Sequence, residues 1–358
     1  MKALIAMSGG VDSSVAAYLM KNSGYECVGC TMKLYTNEDI NAPEGKTCCS
    51  LDDVEDARSV AFRLGIPYYV FNFKNRFKEK VIDKFIFSYE SGITPNPCID
   101  CNRYLKFDGL YERAKELGCD FIVTGHYARV EFDDDSGKYL LKRSVDLSKD
   151  QSYVLYFLNQ DQLSHTIFPL GSINKSKTRE IAEKNGFRNA SKPDSQDICF
   201  VPDGNYVGFM ESYTGKTYHA GNYIDDDGNV IGKHKGYVHY TIGQRKGLGV
   251  AFGEPRFVSS IDPIKNTVTL SKENVLFTRT VKVSEINWIS GIVPENPFKC
   301  TAKIRYRHKE ADCAVYPDAS GATIIFDEPV RAVTPGQAAV FYDGDTVLGG
   351  GIIIQGGE

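Results

Sequence analysis

Along the first third of the chain, short β-rich runs alternate with amphipathic stretches. Lys2 to Met7 is apolar and strand-like, and Val15 to Met20 carries helical spacing. The alternation continues with the apolar run Cys27 to Leu34, a helix near Leu51 to Leu64, the strand Tyr68 to Phe73 and a helix from about Phe77 to Tyr89. Ser50 and Asp53 stand as a capping pair for the second helix. Gly92-Ile93-Thr94-Pro95-Asn96-Pro97 reads as a loop, because two prolines so close forbid a continuing helix or central strand. A helix from about Arg103 to Leu117 and the strand Phe121 to Thr124 complete the pattern. It predicts an α/β fold with a doubly wound parallel sheet covered by helices.

Segments 128 to 132 and 138 to 143 predict a hairpin around Asp133-Asp134-Asp135-Ser136-Gly137, and helical spacing returns from Gln151 to Asn185. From about Phe209, glycines, β-branched residues and turn signals such as Asp226-Asp227-Gly228-Asn229 dominate, and the remainder reads as all-β. The expected division is an α/β domain over residues 1–207, a small β-rich central domain over 208–275 and a C-terminal β-barrel of six or so strands over 276–358. A length of 358 residues suits two or three units better than one.

Composition is that of an ordinary globular protein, with 42% hydrophobic and 25% charged residues. No apolar stretch approaches membrane-spanning length, and the first residues enter a strand without a signal-like segment, so a cytoplasmic protein with no membrane partner is expected. Ten cysteines then point to reduced thiols available to chemistry or metal. A formal net charge of −4 gives no global sign of nucleic-acid binding, so local patches must carry it. Two segments qualify: Lys175, Lys177, Arg179, Lys184, Arg188 and Lys192 in the first, and Lys233, Lys235, Arg245 and Lys246 in the second. Either is equally compatible with a solvated face.

The first strand ends in Ser8-Gly9-Gly10-Val11-Asp12-Ser13-Ser14. Two adjacent glycines let the backbone turn its N–H groups toward an anion, and the helix that begins at the serines adds its partial positive charge. The site reads as a phosphate cradle. A Walker-type loop would carry a Lys followed by Ser or Thr after its last glycine, and none is present, which disfavours γ-phosphoryl transfer. The string resembles the PP-loop of ATP pyrophosphatases. That resemblance implies cleavage of ATP between its α- and β-phosphates, with Asp12 holding the accompanying magnesium.

Cys98-Ile99-Asp100-Cys101 follows the proline loop, and Asn102 is placed to cap the helix after it. A thiol at a helix N-terminus has its thiolate stabilised by the local dipole, which makes Cys101 a better candidate nucleophile than a strand cysteine such as Cys27. A C-x-x-C pair alone is compatible with a redox pair, half a zinc site or coincidence, and Cys48-Cys49 is poorly spaced to complete a zinc site. Cys199 lies in the polar stretch Lys192 to Val201, which favours an accessible loop thiol. Cys27, Cys30, Cys119, Cys300 and Cys313 read as small buried hydrophobes.

Together the motifs resemble one family, the tRNA-specific 2-thiouridylases, over nearly the whole chain. They are S-G-G-V-D-S-S at Ser8, T-M-K near Met32, T-P-N-P-C-x-x-C-N at Thr94, T-G-H-Y-A-R at Thr124, K-D-Q-S-Y at Lys149, K-P-D-S-Q-D-I-C-F at Lys192, G-Q-R-K-G-L at Gly243 and P-G-Q at Pro335. The resemblance implies ATP-dependent 2-thiolation of the wobble uridine of tRNA. Ala6, Met7, Ser8, Gly9, Gly10, Val11, Asp12, Ser13 and Ser14 would bind ATP, with Met32 and Gly125 beside the adenosine. Cys101 would be the nucleophilic and resolving thiol, and Cys199 the carrier of a persulfide loaded by a cysteine desulfurase or a sulfur-relay protein. Asn96, Pro97 and Cys98 would line the target base. His126, Lys149, Asp150, Gln151, Arg305, Tyr306 and Gln337 would touch tRNA, with the C-terminal barrel gripping the anticodon stem-loop.

One position departs from the family pattern, which has Asp where this chain has Cys98. The resemblance implies an acid/base part for that Asp, and a thiol is not assumed to replace it. Cys98, Cys101 and Cys199 form an alternative set of ligands for an iron–sulfur cluster with one open iron. A PP-loop adenylating ligase without sulfur chemistry, and an RNA-binding protein that has lost catalysis, are the competing classes.

Overall fold

The structure is a computed structural model that describes residues 1–36, 51–193, 198–250 and 253–356. Ser50, Cys48, Cys49 and the stretch 194–197 of the Cys199 segment lie outside the described residues.

Strands β1 (Lys2–Ala6), β2 (Glu26–Lys33), β3 (Tyr68–Asn72), β4 (Phe121–Val123) and β7 (Thr166–Ile167) form a parallel sheet in the order β3-β2-β1-β4-β7. From β1 the chain builds outward through β2 and β3, then returns to place β4 on the other side of β1. The carboxyl ends of β1 and β4 thus flank a topological switch point, where open α/β sheets bind ligands. Helix α1 (Val11–Asn22) follows β1 and buries Val15, Ala16 and Met20 against Ala3, Ile5 and Val123. Helix α2 (Leu51–Arg63) precedes β3.

The next two helices contain π-wound segments that hydrophobic periodicity does not announce. Helix α3 runs through Lys74–Phe77, a π turn at Lys78–Ile82, and Asp83–Glu90. Helix α4 runs through Pro97–Asp100, a π segment at Cys101–Gly109, and Leu110–Glu116. The expected loop therefore ends one residue early and the helix starts well before Arg103. Pro97 occupies the first helical position, where its missing N–H costs nothing. Asn102 is not a cap; it is buried inside α4 and its Nδ2 donates to Val154 O at 3.2 Å.

The segment expected to be helical from Gln151 contains a 3₁₀ turn (Ser152–Leu155), α5 (Gln160–Ser164), strand β7 and α6 (Lys175–Lys184). Helical order also persists past Phe209, through α7 (Tyr206–Thr214), which buries Val207, Phe209 and Met210 and stops at left-handed Gly215. Aromatic and β-branched content hid this amphipathic helix.

Beyond it, β8 (Gly221–Ile224), β9 (Val230–His234), β10 (Phe257–Asp262) and β11 (Thr267–Ser271) make a small sheet ordered β10-β11-β8-β9. Strands β12 (Phe277–Trp288), β13 (Phe298–Lys303), β14 (Ala311–Asp318), β15 (Gly321–Arg331), β16 (Ala338–Asp343) and β17 (Thr346–Gly356) follow, and pairing of β12 with β17 closes them into a six-stranded barrel. The hairpin β5 (Ala128–Asp133) and β6 (Lys138–Arg143) belongs to the barrel sheet, because β6 pairs with β17 through Lys142↔Thr346 and Leu141↔Val347. Leu141, Tyr153 and Leu155 share one core with Ala338, Val340 and Val347. The hairpin pattern predicts its own turn but not the partner of its free edge.

Candidate active site

A cavity of about 760 Å³ opens at the carboxyl ends of β1, β2 and β4. Its floor is the glycine turn after β1. Gly9 has φ +77°, and a Cβ there would stand 2.4 Å from Asp53 O, so only glycine lets the turn pass α2. Ser13 Oγ accepts from Ser8 N (3.1 Å) and donates to Gly10 O (3.0 Å); Ser14 Oγ also donates to Gly10 O (3.0 Å). Asn189 Nδ2 binds Gly9 O (2.8 Å) and Ser14 Oγ (2.9 Å) from behind. These bonds freeze the turn, while the N-cap Gly10 offers no side chain to the first-turn amides of α1. The geometry is that of a phosphate cradle, and the donor set fits the pyrophosphate end of a nucleotide.

Gly125, after β4, lies against this turn: a Cβ would be 2.8 Å from Ser13 N and 2.9 Å from Asp12 C. Met32, after the core of β2, completes the wall. Asp12, assigned to magnesium by resemblance, is held by Lys175, whose Nζ donates to both carboxylate oxygens (2.7 and 2.8 Å), and by the Tyr127 hydroxyl (2.9 Å). Lys192 pairs with Asp53 (2.6 Å) and Asp56 (3.1 Å) in the same region. The first basic stretch is therefore not an open patch, since Lys177 and Lys184 also share Glu180. In the second stretch Lys233, Lys235, Arg245 and Lys246 are exposed.

Ala6, Met7, Ser8, Gly10, Val11, Asp12, Ser13, Met32 and Gly125 line the cavity, together with Cys101, His126, Lys149, Asp150, Gln151, Cys199 and Tyr306. Both thiols also pack against one apolar cluster that includes Phe77, Phe85 and Phe200. Cys101 lies past the first turn of α4, and burial pushes its thiol up to about 11, against the pull of the Lys106 ammonium. The helix start expected to favour its thiolate is outweighed by desolvation. The Tyr35 hydroxyl donates to Cys199 O (2.8 Å) and ties that segment to the residues after β2.

His126 is buried, and its pKa is held well below the ordinary value by desolvation and by Lys106. Lys106 Nζ lies 3.4 Å from Nε2, and Thr124 Oγ1 is 2.7 Å from Nδ1. An ammonium only donates, so Nε2 is the acceptor and Nδ1 carries the proton. The Asp150 carboxylate takes the amides of Ser144 (3.1 Å) and Ser152 (3.3 Å), and Gln151 exchanges bonds with Tyr127 through its side chain (3.0 Å) and amide (2.9 Å). Both residues thus serve to fold the cavity rim.

Gly9 and Ser14 lie in the turn but not on the lining, and Asn96, Pro97, Cys98, Arg305 and Gln337 stand outside it. Asn96 is the N-cap of α4, Pro97 is buried and Cys98 is exposed. Among the described residues no group of three or more His, Cys, Asp or Glu is arranged to hold a metal ion. Gln337 Nε2 donates to Thr94 O (2.9 Å) and Pro95 O (3.1 Å), and Thr94 N to Pro335 O (3.0 Å), so the barrel clamps the loop before α4. Arg305 bonds Ile242 O (2.9 Å) and Thr334 Oγ1, joining central sheet and barrel. Tyr306 is exposed and its hydroxyl donates to Asp150 O (3.2 Å).

Sequence reasoning missed Asp53, Lys106, Tyr127 and the barrel residues Lys303, Arg307 and His308 on the lining. Tyr127 sits within T-G-H-Y-A-R and was available to it; no linear signal marks Lys106. Of the five cysteines read as buried, Cys27, Cys30, Cys119 and Cys313 are so, whereas Cys300 is half-buried, 3.7 Å from Cys313 across the β13–β14 ladder.

A frozen glycine turn at the switch point of a parallel sheet, with no lysine of the Walker type, puts the N-terminal part in the PP-loop class of α/β enzymes. Family models agree: residues 1–203 match one described as tRNA methyl transferase HUP domain, 208–272 a tRNA methyl transferase PRC-barrel domain and 278–353 an aminomethyltransferase beta-barrel domain. A tRNA-specific 2-thiouridylase MnmA of Clostridioides difficile is 51% identical over 98% of each chain, and that of Acetivibrio thermocellus 50% identical over 98% of this chain and 99% of its own. The chain belongs to the tRNA-specific 2-thiouridylase family. Among solved structures, an NMN synthetase of Francisella tularensis aligns over 60% of this chain and 78% of its own, with 19% identity and a TM-score of 0.34. No helix among the described residues is long and apolar enough to cross a membrane.

Proposed function

We propose that the protein uses ATP to replace the C2 oxygen of the wobble uridine of tRNA with sulfur, releasing AMP and pyrophosphate. The observation that carries this reading is the meeting of the phosphate cradle, Cys101 and Cys199 in one cavity. A uracil carbonyl oxygen is a poor leaving group, so it first attacks the α-phosphate of ATP and expels pyrophosphate. The cradle of Gly9 to Ser14 binds the phosphates. Magnesium would offset phosphate charge, and Asp12 can serve it only by exchange with Lys175.

The terminal sulfur of a Cys199 persulfide then attacks C2 and AMP departs. Cys101 attacks the Cys199 sulfur, breaking the persulfide S–S bond and forming a Cys101–Cys199 disulfide while the outer sulfur stays on C2. An external dithiol supplies two electrons to restore both thiols, and a cysteine desulfurase or relay protein reloads Cys199. In this reading residues 1–207 form the catalytic domain. Residues 276–358, aided by the exposed Lys233, Lys235, Arg245 and Lys246 of the central domain, grip the anticodon stem-loop.

The test is nucleoside mass spectrometry of hypomodified tRNA incubated with protein, ATP, magnesium and a sulfur source. Wobble 2-thiouridine is expected from iron-free protein and is lost in Cys101→Ser and in Cys199→Ser. AMP release without thiolation, or full activity of both variants, would overturn the reading in favour of an adenylating ligase.

A further inference from the structure

We propose that Cys300 and Cys313 are a second redox-active thiol pair: a low-molecular-weight disulfide oxidises them to a cross-strand bond that pins the barrel loop framing the cavity. The inference is independent of the roles given to Cys101 and Cys199. The two residues face each other in the antiparallel β13–β14 ladder, between the pairs Lys299↔Ala314 and Thr301↔Asp312. Directly opposed residues in such a ladder have Cα atoms about 4.5–5.5 Å apart, inside the range of about 4.4–6.8 Å that a disulfide spans. Both residues are free cysteines that pack against the same barrel core as Ala302 and Val315. Their Sγ atoms stand 3.7 Å apart. Bonding at about 2.0 Å needs the sulfurs to close by about 1.7 Å, within reach of rotation about the two Cα–Cβ bonds with the register kept.

The two thiols differ in access. Cys313 is buried, whereas Cys300 is half-buried and follows the exposed Lys299, so the oxidant meets Cys300 first. The Cys300 sulfur, as thiolate, attacks one sulfur of the oxidant and expels the first small thiol, leaving a mixed disulfide. The Cys313 sulfur then attacks the Cys300 sulfur, breaks the mixed disulfide and expels the second. The protein thiols lose two electrons, which reduce the oxidant to two thiols, and the two protons pass through solvent to them. The loop between β13 and β14 carries Tyr306, Arg307 and His308, which with Lys303 line the cavity. Its anchors are polar: Tyr306 to Asp150 O (3.2 Å), Arg305 to Ile242 O (2.9 Å) and Arg143 to Glu310 (3.0 Å). A Cys300–Cys313 bond adds a covalent tie at the base of this loop.

The experiment incubates reduced full-length protein with oxidised glutathione, without ATP or tRNA, and maps cysteines by mass spectrometry after non-reducing digestion. A Cys300–Cys313 cross-linked peptide is expected, and dithiothreitol should remove it. Amides of residues 304–310 should exchange hydrogen about tenfold more slowly in the oxidised protein, and its melting temperature should rise by about 4 °C. Cys300→Ala, treated identically, should show neither the cross-link, nor the slowing, nor the rise, which separates the barrel pair from oxidation of other cysteines. Cys313→Ala makes the same comparison if Cys300→Ala is unfolded by circular dichroism. Cys300 recovered only as free thiol or glutathione adduct would overturn the proposal. A cross-link that leaves exchange at 304–310 unchanged would also overturn it. No sulfur transfer is measured, so failure here is separable from failure of the thiolation assay.

Discussion

Replacing Gly125 by Ala tests whether the loop after β4 and the glycine turn after β1 must touch. Gly125 does not have a positive φ, so the perturbation is steric rather than conformational. The added methyl would lie 2.8 Å from Ser13 N and 2.9 Å from Asp12 C, where ordinary contact begins near 3.4 Å. Both obstacles are backbone atoms of the cradle, already fixed by Ser13, Ser14 and Asn189, so neither can swing aside. Parting the loops by about half an ångström should cost about 1–3 kcal/mol. If that strain falls on the phosphate site, ATP affinity drops about five- to a hundredfold. Isothermal titration with ATP measures it, and tRNA affinity serves as the control that should stay within about twofold. An ATP dissociation constant equal to wild type, with an unchanged melting temperature, would refute the reasoning that these loops form one rigid cradle.

Gln337→Ala removes two bonds to the loop before α4 and should raise KM for tRNA about three- to tenfold while leaving KM for ATP unchanged, each bond contributing about 0.5 kcal/mol; equal effects on both would contradict it. Lys192→Met removes the cation that Asp53 and Asp56 share and should lower the free energy of unfolding by about 1–2 kcal/mol, less than for a fully buried pair because Lys192 is partly exposed and Arg188 remains 4.0 Å from Asp56; urea denaturation checks this. His126 is held neutral, so the native state binds fewer protons than the unfolded chain below about pH 6.5, and stability should fall as pH drops from there toward 5. His126→Asn should flatten that decline in urea midpoints measured at pH 7.5 and 5.5, and an equal slope would exclude His126 as its source.

The order of strands and helices in the α/β part was legible because buried parallel strands and amphipathic helices leave distinct periodicities, and the Ser8–Ser14 turn because its glycines answer to local geometry. What escaped the sequence depends on distant partners or on winding. Asn102 looks like a cap in one dimension and is a buried donor to Val154 in three. The 128–143 hairpin shows its turn but not that its edge belongs to β17. Lys175 stood out as one positive charge among six and turns out to be the cation of Asp12. No linear signal marks Lys106, which the fold brings to the cavity and to His126.

Strand β17 pairs with β16, β12 and β6 at once. During synthesis, then, the hairpin leaves the ribosome long before its partner exists and waits with an unsatisfied edge. The barrel loop that supplies Lys303, Tyr306, Arg307 and His308 to the cavity also arrives late. A chain that stops before β17 would therefore yield not a smaller working protein but an open barrel and a bare strand edge, the kind of surface that recruits chaperones and proteases. The strand that closes the barrel thus also secures the hairpin beside the cavity.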